Sequence, residues 1–251
     1  MDDKTLQLLV DLHVNNKRQG PGNDATFKKA LELAGFDKNS ILSIADIGCG
    51  TGVSTLALAK NTNAHITAVD LFPNFLAKLN ANASEANLSS RITTQKADMA
   101  KLPFLKEQFD VIWAEGAIYN IGFEKGIRLW KEFLKPGGVM VLTEITWLTH
   151  DVPNELSVHW QEEYPEIAHA STKIRQLEEN GYTVQAYFPL TDEAWLDGYY
   201  SPLQASFESY LQRNNNSVAA KEIIKAEEAE IGLYKKYKKY VSYGCYIAQK
   251  P

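Results

Sequence analysis

The sequence predicts an α/β domain with a doubly wound, mostly parallel sheet of seven strands, helices on both faces and an added lid. Three observations support this fold class. Strand-like and helix-like segments alternate between about residues 42 and 145. Several of the strands are almost continuous in apolar residues, which is typical of strands covered on both faces. A turn with three glycines at residues 48–52 lies between the first strand and its helix.

The N-terminal residues predict a helical arm. Apolar residues recur at helical spacing near the start of the chain. Gly-Pro-Gly at 20–22 ends that helix, because neither residue type continues one easily. Asn23 or Asp24 is a suitable N-cap for a second helix that extends to about Leu33. We expect residues 1–40 to form a helical arm that acts as a lid.

The central part of the chain, residues 41–145, predicts repeated βαβ units. The predicted strands are 42–47, 65–70, 91–96, 109–114 and 138–145. The predicted helices are about 53–61, 74–87 and 123–134. Parallel strands joined by helices place all their carboxyl ends at one edge of the sheet, where ligands of such folds bind. We therefore expect the functional site in the loops that follow these strands.

The regular alternation of strands and helices ends after residue 145. We expect residues 146–251 to complete the sheet and to add a lid on the substrate side. Two late strands separated by a helix suggest a strand pair at the sheet edge, with one strand antiparallel. The expected elements are a helix at 165–180, a strand at 182–190, a turn-rich aromatic segment at 191–215, a helix at about 217–240 and a final strand. We expect one domain in total.

Composition excludes several classes of partner. The chain has 251 residues and a formal net charge of -5, so a surface for nucleic acid or an anionic membrane is not expected. No apolar run has the length of a membrane span, and the N-terminus lacks the core of a signal peptide. Two distant cysteines and five histidines without metal-ligand spacing predict no metal site. We expect a cytoplasmic protein, monomeric or homodimeric.

The glycine-rich turn is the strongest local signal. Glycines at 48, 50 and 52 allow a ligand to approach the backbone, and the following helix N-terminus adds N–H donors. Dinucleotide folds require a third glycine at the position that Val53 occupies, so a nicotinamide-dependent oxidoreductase is disfavoured. The turn also lacks the lysine of a P-loop.

The stretch Asp46-Ile-Gly-Cys-Gly-Thr-Gly52 resembles motif I of class I S-adenosylmethionine-dependent methyltransferases, which have a Rossmann-like fold. Four further stretches resemble the later motifs of that family in the same order: "ITAVDLFP", "KADMAKLPF", "FDVIWAEGAIYNIG" and "LKPGGVMVLTE". The resemblance covers about residues 40–145. A looser similarity to the bacterial small-molecule branch near the ubiquinone and menaquinone methyltransferases extends to "RQGPG" and the tyrosine-rich C-terminal region.

The resemblance implies S-adenosyl-L-methionine as the cofactor and assigns roles to matching positions. Asp70 would accept hydrogen bonds from the ribose hydroxyls, as acids at this position do in dinucleotide folds. Asp98 would accept one from the adenine amino group, while Met99 packs on the ring. Asp46 would lie near the methionine amino group. The full cofactor set is Gly20, Asp46, Gly48, Cys49, Gly50, Gly52, Asp70, Leu71, Asp98, Met99 and Glu115.

Candidate catalytic residues follow the fourth and fifth strands: Glu115, Tyr119 and Glu144. A base is needed only if the acceptor arrives protonated. Glu115 could instead brace the backbone, and His150 is the one histidine expected near the mouth of the site. The aromatic residues after the fifth strand could line an acceptor pocket or could form an ordinary core: Trp147, Trp160, Trp195, Tyr199 and Tyr200.

The sequence therefore predicts an enzyme that transfers a methyl group to a small-molecule acceptor by in-line displacement, in a bacterial cytoplasm. One alternative is a methyltransferase that acts on a protein or RNA, although no basic rim is visible for a nucleic acid. Another is a module that binds S-adenosylmethionine without turnover. The sequence leaves the acceptor unassigned.

Overall fold

A computed structural model describes residues 2–251, and within them a mixed sheet of eight strands has the order β3-β2-β1-β4-β5-β8-β7, with the short β6 paired to β5. The strands are β1 Ser43–Ile47, β2 His65–Asp70, β3 Ile92–Lys96, β4 Phe109–Glu115, β5 Leu134–Trp147, β6 Ala168–His169, β7 Thr183–Pro189 and β8 Val241–Gln249.

Helices cover both faces and one end of this sheet. They are α1 Asp3–His13, α2 Asp24–Leu33, α3 Val53–Asn61, α4 Pro73–Glu85, α5 Phe123–Trp130, α6 Asn154–Glu163, α7 Ala170–Glu179, α8 Asp192–Trp195, α9 Ser201–Arg213 and α10 Val218–Tyr237. The Asn23 carboxamide oxygen accepts the backbone N–H of Thr26 at 2.8 Å, so the expected N-cap of α2 is present.

The predicted fold class is confirmed. Strands β1, β2, β3, β4 and β5 pair in parallel, and β8 lies antiparallel between β5 and β7. Adjacent residues of β1 alternate between two buried cores: Ile44 packs in one and Ala45 in the other. Both faces are covered, which explains why the strands are so continuously apolar. The carboxyl ends of β1, β2 and β4 consequently meet at one edge.

The structure differs from the expectation for residues 191–215. That segment forms α8, a π-helical turn at Leu196–Tyr200 and α9, rather than a turn-rich lid. Trp195 and Tyr200 are almost fully buried in a third core that also includes α1 and α10. The Trp195 ring stacks on Tyr234 at 4.4 Å, and its indole N–H bonds to Ser242 at 2.9 Å. Burial of these aromatic rings therefore favours helices over turns in this segment.

No helix among residues 2–251 combines the length and the apolar character that crossing a membrane requires.

Candidate active site

The glycine-rich turn has the backbone conformation that its composition predicts. Gly48, Gly50 and Gly52 have φ angles of +74°, +54° and +89°, which L side chains rarely adopt. The backbone N–H groups of Gly48 and Cys49 both donate to the Val69 carbonyl, at 2.8 and 2.9 Å. These two bonds fix the turn against the end of β2. The glycines of the turn therefore present backbone without side chains at the edge of the sheet, where α3 begins.

Gly52 has no room for a side chain, since a Cβ there would collide with the Leu79 side chain of α4. We expect Gly52→Ala to destabilise the protein by about 2–4 kcal/mol, combining left-handed strain and overpacking. Gly137→Ala is the matched control, because Gly137 has a φ of +77° but nothing near its Cβ position. Chemical denaturation of both variants measures the difference. Equal losses would show that the contact with Leu79 does not matter.

Asp70 ends β2 directly beside the turn. One carboxylate oxygen accepts the Gly50 backbone N–H at 2.9 Å, and the other accepts that of Phe72 at 2.9 Å. The side chain is 9% exposed, and burial raises its pKa. Each carboxylate oxygen has a second lone pair, so Asp70 still has acceptor capacity toward a ligand in the cavity described below.

Asp98 and Met99 follow β3 and reach the same space. Asp98 is exposed, with one oxygen accepting the Ala100 backbone N–H at 2.8 Å. The Met99 carbonyl accepts the Trp130 indole N–H at 2.9 Å, which anchors this loop to α5. Leu71 is 50% exposed. The loops after β2 and β3 therefore offer apolar side chains and two acceptor carboxylates.

Asp46 lies at the deep end of this site, 1% exposed within β1. The Thr55 hydroxyl donates to its carboxylate at 2.5 Å. Burial raises the pKa of Asp46 to about 7, and the nearby charges of Glu115 and Asp70 act in the same direction. A cation placed beside these three carboxylates would stabilise the ionised form of Asp46.

Glu115 at the end of β4 is held by two donors. Arg18 Nη1 donates to one oxygen at 3.0 Å, and the Trp113 indole N–H donates to the other at 2.8 Å. The Arg18 side chain is 6% exposed, so this ion pair is well shielded from water. The contacts favour a structural or cofactor-binding role for Glu115 over proton transfer. Sequence reasoning missed Arg18.

The N-terminal arm is fixed to the glycine-rich turn. Gln19 Nε2 donates to the Thr51 hydroxyl at 3.0 Å, and Gln19 Oε1 accepts the Thr51 backbone N–H at 2.9 Å. The same Gln19 nitrogen bonds to the carbonyls of His13 and Asn16. This network holds the arm beside the glycine-rich turn, and its action as a lid stays a prediction.

These elements surround an open cavity of about 730 Å³, which is large enough for a cofactor and a small substrate. The cavity is lined by all of the predicted cofactor residues except Gly52, together with Tyr119. Cys49 is buried, and burial raises the pKa of its thiol, so we assign it no nucleophilic role. The shared residues are Gly20, Asp46, Gly48, Cys49, Gly50, Asp70, Leu71, Asp98, Met99 and Glu115.

The other part of the cavity wall comes from α1, the π-helical turn and α10. It contributes His13, Tyr199, Glu227 and Glu230. Glu227 and Glu230 are only partly exposed. They are three residues apart on the face of α10 that also buries Ile231, whereas Glu228 is exposed. This three-residue spacing is the sequence feature that could have indicated that the two acids share one face of the helix.

Glu144 and His150 lie away from the cavity lining. Glu144 is completely buried, with its carboxylate 3.5 Å from Lys173 Nζ. Burial raises the pKa of Glu144 to about 7, while Lys173 opposes the shift. His150 stacks on His169 at 4.2 Å. Neither residue lines the cavity that contains Tyr119, and the role of Glu144 as a catalytic group stays a prediction. No cluster of metal-ligating residues is found among residues 2–251.

Residues 44–138 match the family model described as "Methyltransferase domain". This part of the chain is therefore similar to a methyltransferase domain. A SAM-dependent methyltransferase from Geobacter sulfurreducens, solved with S-adenosyl-L-homocysteine, shares the fold with a TM-score of 0.85 and 17% identity over 98% of each chain. The Rossmann-like fold that the resemblance implies is confirmed, and residues 44–138 carry the match to a methyltransferase domain. The narrower ubiquinone and menaquinone branch stays a prediction.

Curated relatives match only part of this chain. An uncharacterised protein of Haemophilus influenzae is 33% identical over 138 residues, 54% of this chain and 51% of the relative. The 27-O-demethylrifamycin SV methyltransferase of Amycolatopsis mediterranei is 28% identical over 100 residues, 39% of this chain and 37% of the relative. The matched region thus spans about half or less of these relatives.

Proposed function

We propose that this chain binds S-adenosyl-L-methionine in the cavity and transfers its methyl group to a small-molecule acceptor. The observation that carries the proposal is the convergence of the glycine-rich turn, Asp70 and Asp98 on one cavity that continues toward Tyr119. The cofactor supplies an electrophilic methyl group on a sulfonium. The protein must then hold the acceptor in line and exclude water, which lowers the barrier through proximity.

The residues present fit this cofactor. A side chain at Gly50 would collide with the Gln19 carboxamide, so the turn stays as bare backbone beneath the arm. Asp70 would accept hydrogen bonds from the ribose hydroxyls, and Asp98 would accept one from the adenine amino group. Met99 and Leu71 would pack against the adenine ring, which suits the partly exposed apolar surface that they present.

The other end of the cofactor would lie near Asp46 and Glu115. Its amino group carries a positive charge, and these carboxylates provide compensating charge in a buried position. The sulfonium would then face the wall formed by α1 and α10. A role in substrate contact for Tyr119 fits its place in the cavity and its 41% exposure.

A small-molecule acceptor is favoured by the size of the cavity and by the similarity to small-molecule methyltransferases such as the 27-O-demethylrifamycin SV methyltransferase. A net charge of -5 supports the same choice, because RNA-binding proteins favour a basic surface.

Calorimetric titration with S-adenosylhomocysteine tests the proposal, with NADH as the control ligand. We expect one site per chain for S-adenosylhomocysteine and no binding of NADH. Transfer of labelled methyl groups to a small-molecule extract would then separate turnover from binding alone. Binding of NADH in place of S-adenosylhomocysteine would overturn the proposal.

The affinity for S-adenosylhomocysteine should rise with pH. Below about pH 7 the Asp46 carboxyl is protonated, and a bound ammonium favours its ionised form, so binding at low pH must release a proton. We expect the dissociation constant to fall several-fold between pH 6 and pH 8 and Asp46→Asn to remove most of that dependence. Titration in two buffers of different ionisation enthalpy measures the released proton. A pH-independent constant would contradict the assignment of Asp46.

A further inference from the structure

The cavity wall opposite the glycine-rich turn contains two acidic side chains, which are unusual in an apolar substrate pocket. Glu227 and Glu230 of α10 line it, and both side chains are largely shielded from bulk water. The phenol rings of Tyr119 and Tyr199 line the same space. Two carboxylates beside aromatic faces make an environment that attracts a cation and repels an anion.

Among the residues that line this wall, His13 of α1 has the only basic side chain. Its Nε2 lies 3.6 Å from the Glu227 carboxylate, so it contacts one of the two acids. The His13 Nδ1 atom is buried and has no hydrogen-bond partner. The Tyr200 hydroxyl donates to one oxygen of Glu230 at 2.9 Å and leaves the other without a donor. The wall therefore has one uncompensated carboxylate and an unsatisfied imidazole nitrogen.

We infer that the acceptor is an amine, which binds as an ammonium ion between Glu227, Glu230 and the rings of Tyr119 and Tyr199. This inference rests on the proposed function, since it names the substrate class of the same cavity. A phosphate or carboxylate acceptor would meet the two acids and be excluded. The aliphatic residues Leu9 and Val10 on α1 would cover the carbon skeleton of the amine.

An ammonium nitrogen must lose a proton before its lone pair can accept a methyl group. The Glu230 carboxylate is placed to take it: one N–H bond breaks, one O–H bond forms, and the electron pair stays on nitrogen. Burial raises the pKa of Glu230 to about 7, and Glu227 and Glu163 add to the rise while His13 opposes it. A base with such a pKa accepts and releases a proton near neutral pH.

Three near-isosteric probes test the charge preference directly: phenethylamine, 2-phenylethanol and phenylacetate. Each is titrated into protein saturated with S-adenosylhomocysteine at pH 7.5, and binding is followed by calorimetry. We expect phenethylamine to bind at least about ten-fold more tightly than the other two, because only it carries a cationic head. Equal affinities, tighter binding of the alcohol or the acid, or no binding of the amine would overturn the inference.

The variant Glu227→Gln/Glu230→Gln should abolish the preference for phenethylamine and keep the affinity for S-adenosylhomocysteine. Retained cofactor-product binding also shows that the variant is folded, and the two single variants serve if the double does not fold. Glu228→Gln is the matched control, because Glu228 is exposed on the same helix. An unchanged amine preference in the double variant would count against the inference. Failure of the wild type to bind S-adenosylhomocysteine would instead count against the proposed function.

Discussion

Asp70→Ala should lower the affinity for S-adenosylhomocysteine by about a hundred-fold or more. Two ribose hydroxyls that donate to one carboxylate form charge-assisted hydrogen bonds, each worth roughly 1.5–3 kcal/mol. The variant also removes the acceptor for the Gly50 backbone N–H, which loosens the turn on which the ligand would lie. Both effects act on the same binding constant, and calorimetry measures their sum.

Asp37→Ala is a matched control for Asp70→Ala. Asp37 also accepts two local hydrogen bonds, from the Asn39 backbone at 3.0 Å and the Ser40 hydroxyl at 2.7 Å, but it does not line the cavity. We expect the control to bind S-adenosylhomocysteine like the wild type. Asp70→Asn, which keeps one acceptor oxygen, should fall between the two. An affinity of Asp70→Ala within about three-fold of the wild type would remove Asp70 from the site.

Lys173→Met should destabilise the fold by about 3–5 kcal/mol at pH 8, since it leaves the Glu144 carboxylate buried without its partner. Both side chains have no exposure, and Lys173 Nζ also donates to the Glu166 carbonyl at 2.9 Å. The pKa of Glu144 is already raised to about 7, so its ionised form costs stability as the pH rises through that value. The loss should therefore be smaller at pH 5.

The double variant Lys173→Met/Glu144→Gln should recover most of that stability, because it removes both buried charges. Lys135→Met is the matched single control: Lys135 pairs with Asp110 at 2.8 Å in a partly exposed position, where an ion pair is worth about 0–1 kcal/mol. Urea denaturation gives the free energy of unfolding for each variant. A Lys173→Met loss no larger than the control, or no recovery in the double variant, would contradict this account of the pair.

The sheet and its glycine-rich turn could be predicted from sequence because they depend on local signals. Apolar runs, glycines at 48–52 and acids at strand ends are each visible within a few residues. The wall of the cavity opposite the turn could not be predicted in the same way. Glu227 is separated from Asp46 by most of the chain, and only the packing of α10 against α1 brings both to one cavity.

Two further residues show why local patterns were insufficient. Arg18 meets Glu115 from 97 positions away, and nothing in the sequence near either residue indicates a partner. Glu144 follows the pattern of an acid near the end of a strand, yet burial and Lys173 direct it to a separate structural pair. Aromatic residues at 195 and 200 likewise fill a core between helices.

The central claim is that one cavity holds S-adenosylmethionine with its reactive end toward α1 and α10. A crystal structure of the complex with S-adenosylhomocysteine tests it most directly, through the distances from ligand atoms to protein groups. We predict ribose hydroxyls within hydrogen-bond distance of Asp70, adenine beside Asp98 and Met99, and sulfur facing Tyr119. Ligand density outside this cavity, or a reversed ligand with adenine toward Glu230, would contradict the account.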